Sequence, residues 1–307
     1  MHLETAGTVK EPSQFSIHPA ARLGLVSLNV ADLDQQIRFY QQILGLHLHW
    51  QAGDQAMLGN GADDLLQINH IAGAKRYRRV TGLYHLALRY PSRSALARAL
   101  MRMRKLNYPN HPTDHIMTKS SYLEDPEGNG IELYAESPED GVFVYKNGSF
   151  GARRTDGTLS DGREPLDLQA LFSHLKDDDP LDDPISDQVI MGHIHLHVCD
   201  LQEALDFYHG VLGFDIMGHA TAFQVAFVSA GGYHHHIGLN TWQGVGVPQP
   251  PPNAQGLNYF SILLPDQSAL HAVLERVNQA LVTIEKMADG YLVLDPCRNG
   301  VLLKPSS

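Results

Sequence analysis

The sequence runs to 307 residues, 43% of them hydrophobic, with a net charge of −11. That length accommodates one large or two ordinary domains with real cores. The acidic balance, without a long Lys/Arg run, argues against nucleic acid or an anionic membrane as partner. No apolar stretch reaches membrane-span length, and MHLETAGTVKEPSQF has no signal-peptide apolar core, so a cytoplasmic location is expected. Cys199 and Cys297 then read as packed thiols in a reducing compartment, and the sequon Asn147-Gly148-Ser149 is discounted. The unusual count is 18 histidines, several at strand-like positions, which raises the question of which ones share a site.

After an N-terminal tail (1–21), LGLVSLNVADLDQQIRFYQQILGLHLHW (23–50) sets out a plan. An alternating strand is followed by a V-x-D-L turn, an amphipathic helix and a Leu-Gly step into another strand. Asp32 is placed to cap the helix, and Ile37, Tyr40 and Leu44 have core spacing. The basic run 75–79 (KRYRR) reads as a solvated connection. GLYHLALRYPSRSALARALMRM (82–103) begins a second strand and helix, and the unit closes on TDHIMTKSSYLEDPEGNGIELY (113–134). DPEGNG is rich in turn formers between two runs of strand composition, which predicts a hairpin. Within its second strand Ile131, Leu133 and Tyr134 suit a core, and Glu132 does not.

Residues 138–189, with acidic and Pro-rich pieces such as KDDDPLDDP, read as a linker or excursion without calcium-loop spacing. The plan then returns. MGHIHLHVCDLQEALDFYHGVLGFDIM (191–217) repeats the first unit, with Asp200 before the helix and Leu205, Tyr208 and Leu212 on its seam. GLNYFSILLPDQSALHAVLERV (256–277) and VLDPCRNGVLLK (293–304) repeat the second. The chain is therefore expected to hold four βαβββ modules, near 22–71, 82–137, 190–243 and 256–305. The fold class is α+β: two paired-module domains, 22–137 and 190–307, with curved mixed sheets around a cavity.

These modules resemble those of the vicinal oxygen chelate superfamily, which includes glyoxalase I, bleomycin-resistance proteins and extradiol ring-cleaving dioxygenases. The 115–132 stretch resembles the extradiol signature: His115, Tyr122, Asp125, Pro126, Gly128 and Glu132 fall in register, with Ser121 where an apolar residue is usual. The resemblance implies metal ligands on the first and last strands of paired modules. First-strand positions are Leu25, His85, His193 and Tyr259. Last-strand positions are Gln67, Glu132, the His234–His236 run and Leu302. Modules two and three, although separated by the acidic segment, thus supply His85, Glu132 and His193. Two imidazoles and a carboxylate make a facial triad suited to non-haem Fe(II), with Mn(II) as the alternative ion.

The same resemblance implies a catechol-type aromatic diol and O2 as partners, with His115 and Tyr122 contacting substrate. It also implies an acid–base histidine in the YHHHIGLNTW stretch: His236 is the expectation and His234 its alternative, with His235 turned the other way. His195 shares a strand face with His193, and Trp242 could line the cavity. A glyoxalase-type isomerase would generally use a second carboxylate, from module three, where the sequence offers a His run. A metal-free binding protein would not need His85, Glu132 and His193. Oligomeric state stays open.

Overall fold

The structure, a computed structural model, describes residues 15–146 and 148–306; the N-terminal stretch MHLETAGTVKEPSQ and Asn147 of the sequon lie outside them. Each module opens on a long strand that serves as its hub. Gly82–Tyr90 pairs in parallel with its own module's closing strand Gly130–Glu136, and antiparallel with Ile190–His197. Arg22–Val30 likewise pairs in parallel with Asp64–His70 and antiparallel with Gly256–Leu264. One side of each hub is satisfied within its module. The other side is an unpaired edge, which a second hub covers.

Modules two and three thereby build a nine-stranded sheet, and modules one and four an eight-stranded sheet. The sheets do not follow the sequence halves 22–137 and 190–307. Neighbouring modules one and two sit in different sheets, whereas modules two and three meet across the long intervening segment. That segment is folded. Gly141–Lys146, Ser149–Arg154 and Leu159–Ser160 form a separate antiparallel sheet. Glu164–Pro165 adds an edge strand to His111–Asp114, and helix Leu168–Phe172 packs on helix Arg93–Lys105.

The helices cover the outer faces. Asp32 accepts the Gln35 backbone N–H at 2.8 Å, and Asp200 those of Gln202 and Glu203, which satisfies donors orphaned at a helix start. Ile37, Tyr40, Leu44, Leu205, Tyr208 and Leu212 are all buried, as their spacing implies. The two seam tyrosines also latch modules together. Tyr40 donates to Asp125 at 2.9 Å, from module one to the turn of module two; Tyr208 donates to Asp295 at 3.1 Å, from module three to the turn of module four. Both cysteines are free thiols, Cys297 buried and Cys199 half-buried. Among the described residues no helix is long and apolar enough to cross a membrane.

Candidate metal centre

The 118–136 hairpin explains its isolated carboxylate. Strands Thr118–Glu124 and Gly130–Glu136 pair with Tyr122 opposite Glu132 and Ser121 opposite Leu133. The buried Asp125 carboxylate organises the turn: it accepts from the backbone of Glu127 and Asn129, the Asn129 side chain and Tyr40. Gly128 supplies the φ of 80° that the turn requires. Strand alternation then sends Ile131 and Leu133 into the core and Tyr122 and Glu132 into a cavity. Ser121, on the core side, is satisfied by donating to Asn110 at 2.8 Å.

Three ligand atoms converge where the two hubs cross. His193 Nε2 lies 3.0 Å from Glu132 Oε2, His85 Nε2 lies 3.4 Å from the same oxygen, and the two nitrogens are 3.2 Å apart. All three residues are buried. Donors ~2.1 Å from one ion stand about 3.0 Å apart in octahedral and about 3.4 Å apart in tetrahedral geometry. The observed edges span that interval, so one ion can take all three on one side. The opposite side faces the cavity. The outer nitrogens, Nδ1 of His85 and of His193, have no hydrogen-bond partner.

The electrostatics favour metal-competent protonation. Burial pushes the His85 imidazole down to about 3. Burial alone would raise Glu132, but the charge and hydrogen bond of His193, with His85 behind it, hold the carboxyl below its usual range. A neutral His85 imidazole and an ionised Glu132 carboxylate are the forms that ligate.

His115 and Tyr122 stand together beside this group. His115 Nδ1 faces the Gly162 carbonyl oxygen and must donate to it, so in the neutral ring Nε2 accepts from the Tyr122 hydroxyl at 2.7 Å. Burial, followed by the negative charge of Glu132, pushes the Tyr122 phenol well above its ordinary pKa. It therefore stays a donor at neutral pH. Both residues line the cavity.

His236 is elsewhere. Its Nδ1 accepts from Ser229 at 2.9 Å and from the Ala230 backbone at 3.2 Å, its ring packs on Phe214 and Tyr233, and it does not line the cavity. The expectation of an acid–base His236 is corrected. The reason is local: module three's closing strand begins only at Ile237, so period-2 alternation does not apply to 233–236. His235 instead enters the cavity, its ring 4.3 Å from that of His193. His234 also lines the cavity, tied to Glu136 at 3.1 Å.

The same strand start moves the last-strand position of module three. Ala87 is paired with Glu132 and, at the equivalent register, His195 with Gly238. The counterpart of Glu132 in module three is therefore Gly238, which has no side chain to offer. A Cβ there would sit 2.8 Å from the His195 ring, so that ring already fills the space. His195 is buried, lines the cavity and leaves Nε2 without a partner.

The cavity measures about 870 Å³. Besides the triad, its walls include Tyr84 and Phe227 from the sheet, Trp242 from the turn after it, and Phe143, Phe150 and Arg163 from the 138–189 segment. Sequence reasoning missed the last three and misplaced His235. For the phenylalanines there was a signal: Asn147-Gly148 between two alternating runs is a hairpin signature. Arg163 had none.

The chain matches the Glyoxalase/Bleomycin resistance protein/Dioxygenase superfamily over residues 22–133 and 190–293, and belongs to it. It is 38% identical over 284 residues to a catechol-2,3-dioxygenase of Bacillus subtilis (strain 168), covering 92% of this chain and 96% of that one. Glyoxalase I of Zea mays shares the fold with a TM-score of 0.54 at 16% identity, over 92% of each chain. The cppA protein of Streptococcus pneumoniae TIGR4 does so with a TM-score of 0.50 at 11% identity, over 93% of this chain and 98% of that one. Kinship and the buried His–Glu–His group together are those of a metal-dependent enzyme of this superfamily.

Proposed function

We propose that the protein is an extradiol ring-cleaving dioxygenase that inserts O2 into a catechol-type aromatic diol, using non-haem Fe(II), with Mn(II) as the alternative ion. The observation that carries this is a three-ligand group whose pseudo-symmetric fourth position is Gly238. A glyoxalase-type isomerase would need a carboxylate there. The 38% identity to a catechol-2,3-dioxygenase supports the same reading.

His85, His193 and Glu132 would hold the ion, which when bound supplies a Lewis-acidic centre with open positions for a diol and dioxygen. His235, beside His193, is the side chain placed to accept a diol proton within the cavity. The single Tyr122 proton, held by His115 in the resting pair, can swing to a reacting oxygen when one binds. His115, oriented by the Gly162 carbonyl, receives that hydroxyl's bond and can return a proton through it. Phe143, Phe150, Phe227 and Trp242 keep bulk water from the ring.

The test is anaerobic loading with Fe(II), or separately Mn(II), followed by exposure to air with catechol and substituted catechols. Expected are a yellow ring-cleavage product and uptake of one O2 per product. A fully loaded protein that consumes no O2 with any catechol contradicts the proposal.

A further inference from the structure

The cavity is larger than its chemistry requires. At about 870 Å³ it lies in the range that encloses drug-sized ligands, ~300–1,000 Å³. That is several times what a bare catechol ring fills. The space away from the triad is walled by Phe143, Phe150, Phe223 and Phe227, four of whose ring pairs have centroids 5.5 Å to 6.2 Å apart. Such walls suit an apolar extension of the substrate.

One group in this wall is of a different kind. Among the described residues lining the cavity, Arg163 is the single lysine or arginine. Its guanidinium lies over two rings, 5.3 Å from the Phe150 centroid and 5.6 Å from that of Phe223, which restricts its orientation. Two carboxylates are close by in sequence, and each is otherwise engaged. Glu164 is held by Arg154 and Ser160. Asp161 accepts the Arg163 backbone N–H at 2.9 Å and makes no ion pair with the guanidinium. Arg163 is exposed at the rim of the cavity, and among the described residues its guanidinium forms no ion pair, although Asp161 and Glu164 line the same cavity. The loop bearing it is anchored to the chemistry by the bond from His115 to Gly162.

We propose that the preferred diol carries an apolar arm ending in an anionic group, such as a carboxylate, which Arg163 binds in the aromatic part of the cavity. This rests on the dioxygenase reading for the diol end and deepens it at the other. A chain with net charge −11 repels anions at long range, so an anionic substrate gains from a cation at the cavity wall. Arginine suits that role, since its planar fork meets a carboxylate through two parallel hydrogen bonds while stacking on aromatic faces.

The experiment is calorimetric binding to the metal-loaded protein without oxygen. The probes are dihydroxyphenyl carboxylic acids from the benzoate to the phenylbutyrate, each against its methyl ester, with 3-phenylpropionate and its ester as diol-free controls. The expected result is a preference for acid over ester of about 10- to 100-fold at the best arm length, the worth of a charge-assisted pair. Added salt should weaken it. Arg163→Gln should remove the preference for acid over ester, and Arg163→Lys should keep part of it. Equal binding of acid and ester, or a preference that survives Arg163→Gln, overturns the proposal. The control separates the two readings. If 3-phenylpropionate shows an Arg163-dependent preference while no catechol is cleaved, the anion site stands and the dioxygenase reading fails. Cleavage of catechols without any Arg163-dependent preference gives the reverse.

Discussion

The two sheets offer the same four positions and fill them differently. In the nine-stranded sheet they hold His85, His193, Glu132 and Gly238. In the eight-stranded sheet the equivalents are Leu25, Tyr259, Gln67 and Leu302. The crossing is alike: His193 meets Glu132 at 3.0 Å, and Tyr259 meets Gln67 at 2.8 Å. One contact is a carboxylate with two buried imidazoles, the other a neutral hydrogen bond. Pairing of modules therefore creates the juxtaposition whatever the residues are, and the chemistry depends on those few side chains. Within the nine-stranded sheet the contrast repeats: module two pairs a small Ala87 with Glu132, and module three pairs a large His195 with Gly238.

The strongest way to break this comparison is Gly238→Glu. The new side chain would collide with His195 and direct a second carboxylate at the three ligands. Overpacking of this kind costs ~1–3 kcal/mol of stability, and ring cleavage should be abolished with metal still bound. Oxygen uptake and metal analysis on one preparation decide it. Wild-type turnover in this variant would mean that a vacant fourth position is irrelevant.

Next come the residues that face substrate. His115→Ala should lower turnover by ~10²–10⁴-fold, the usual worth of a positioned acid or base. Tyr122→Phe deletes one hydroxyl and should cost less, about tenfold, in line with a single hydrogen bond. Metal content should stay at wild-type level in both. His236→Ala should leave turnover intact and lower only stability, whereas His235→Ala should behave like His115→Ala.

That last pair shows where the sequence was legible. The hubs, capped helices and turns follow from local chemistry, and His85, Glu132, His193, His115 and Tyr122 sit on strands or beside a turn whose register the DPEGNG motif fixes. The histidine run 234–236 could not be oriented, because its faces depend on where a strand begins, and Ile237 is set by pairing with Val228 and Ile194. Arg163 was invisible for a related reason: its position comes from a segment that folds back onto module two through Glu164–Pro165. Composition marks such a segment as acidic and Pro-rich, but says nothing of where it docks.

A smaller effect concerns pH in the metal-free protein. His85 resists protonation in the fold down to about 3, while the unfolded chain takes up that proton near 6.5. Between those values the unfolded state binds more protons, so stability is full above pH 6.5 and falls as pH drops toward 3. The contribution is up to a few kcal/mol, at ~1.4 kcal/mol per pH unit of separation. Urea midpoints from pH 7 to 4 should slope less in His85→Gln than in wild type. Parallel slopes would remove His85 as the cause.

The smallest difference is between the two tyrosine latches. Tyr40→Phe and Tyr208→Phe each remove one buried hydrogen bond to a turn aspartate. Each should cost ~1 kcal/mol or somewhat more. Near-equal shifts in thermal midpoint would show that the latches serve the fold alike in both halves. A loss of turnover in Tyr40→Phe only would tie its latch to the metal-bearing hairpin.

Metal analysis of the wild type and of His85→Ala, Glu132→Ala and His193→Ala, each checked for its fold by circular dichroism, tests the central claim most directly. One Fe or Mn per wild-type chain and an empty site in all three variants are expected, because two remaining ligands cannot retain a divalent ion against buffer. A full complement of metal in any folded variant would contradict a centre shared between modules two and three.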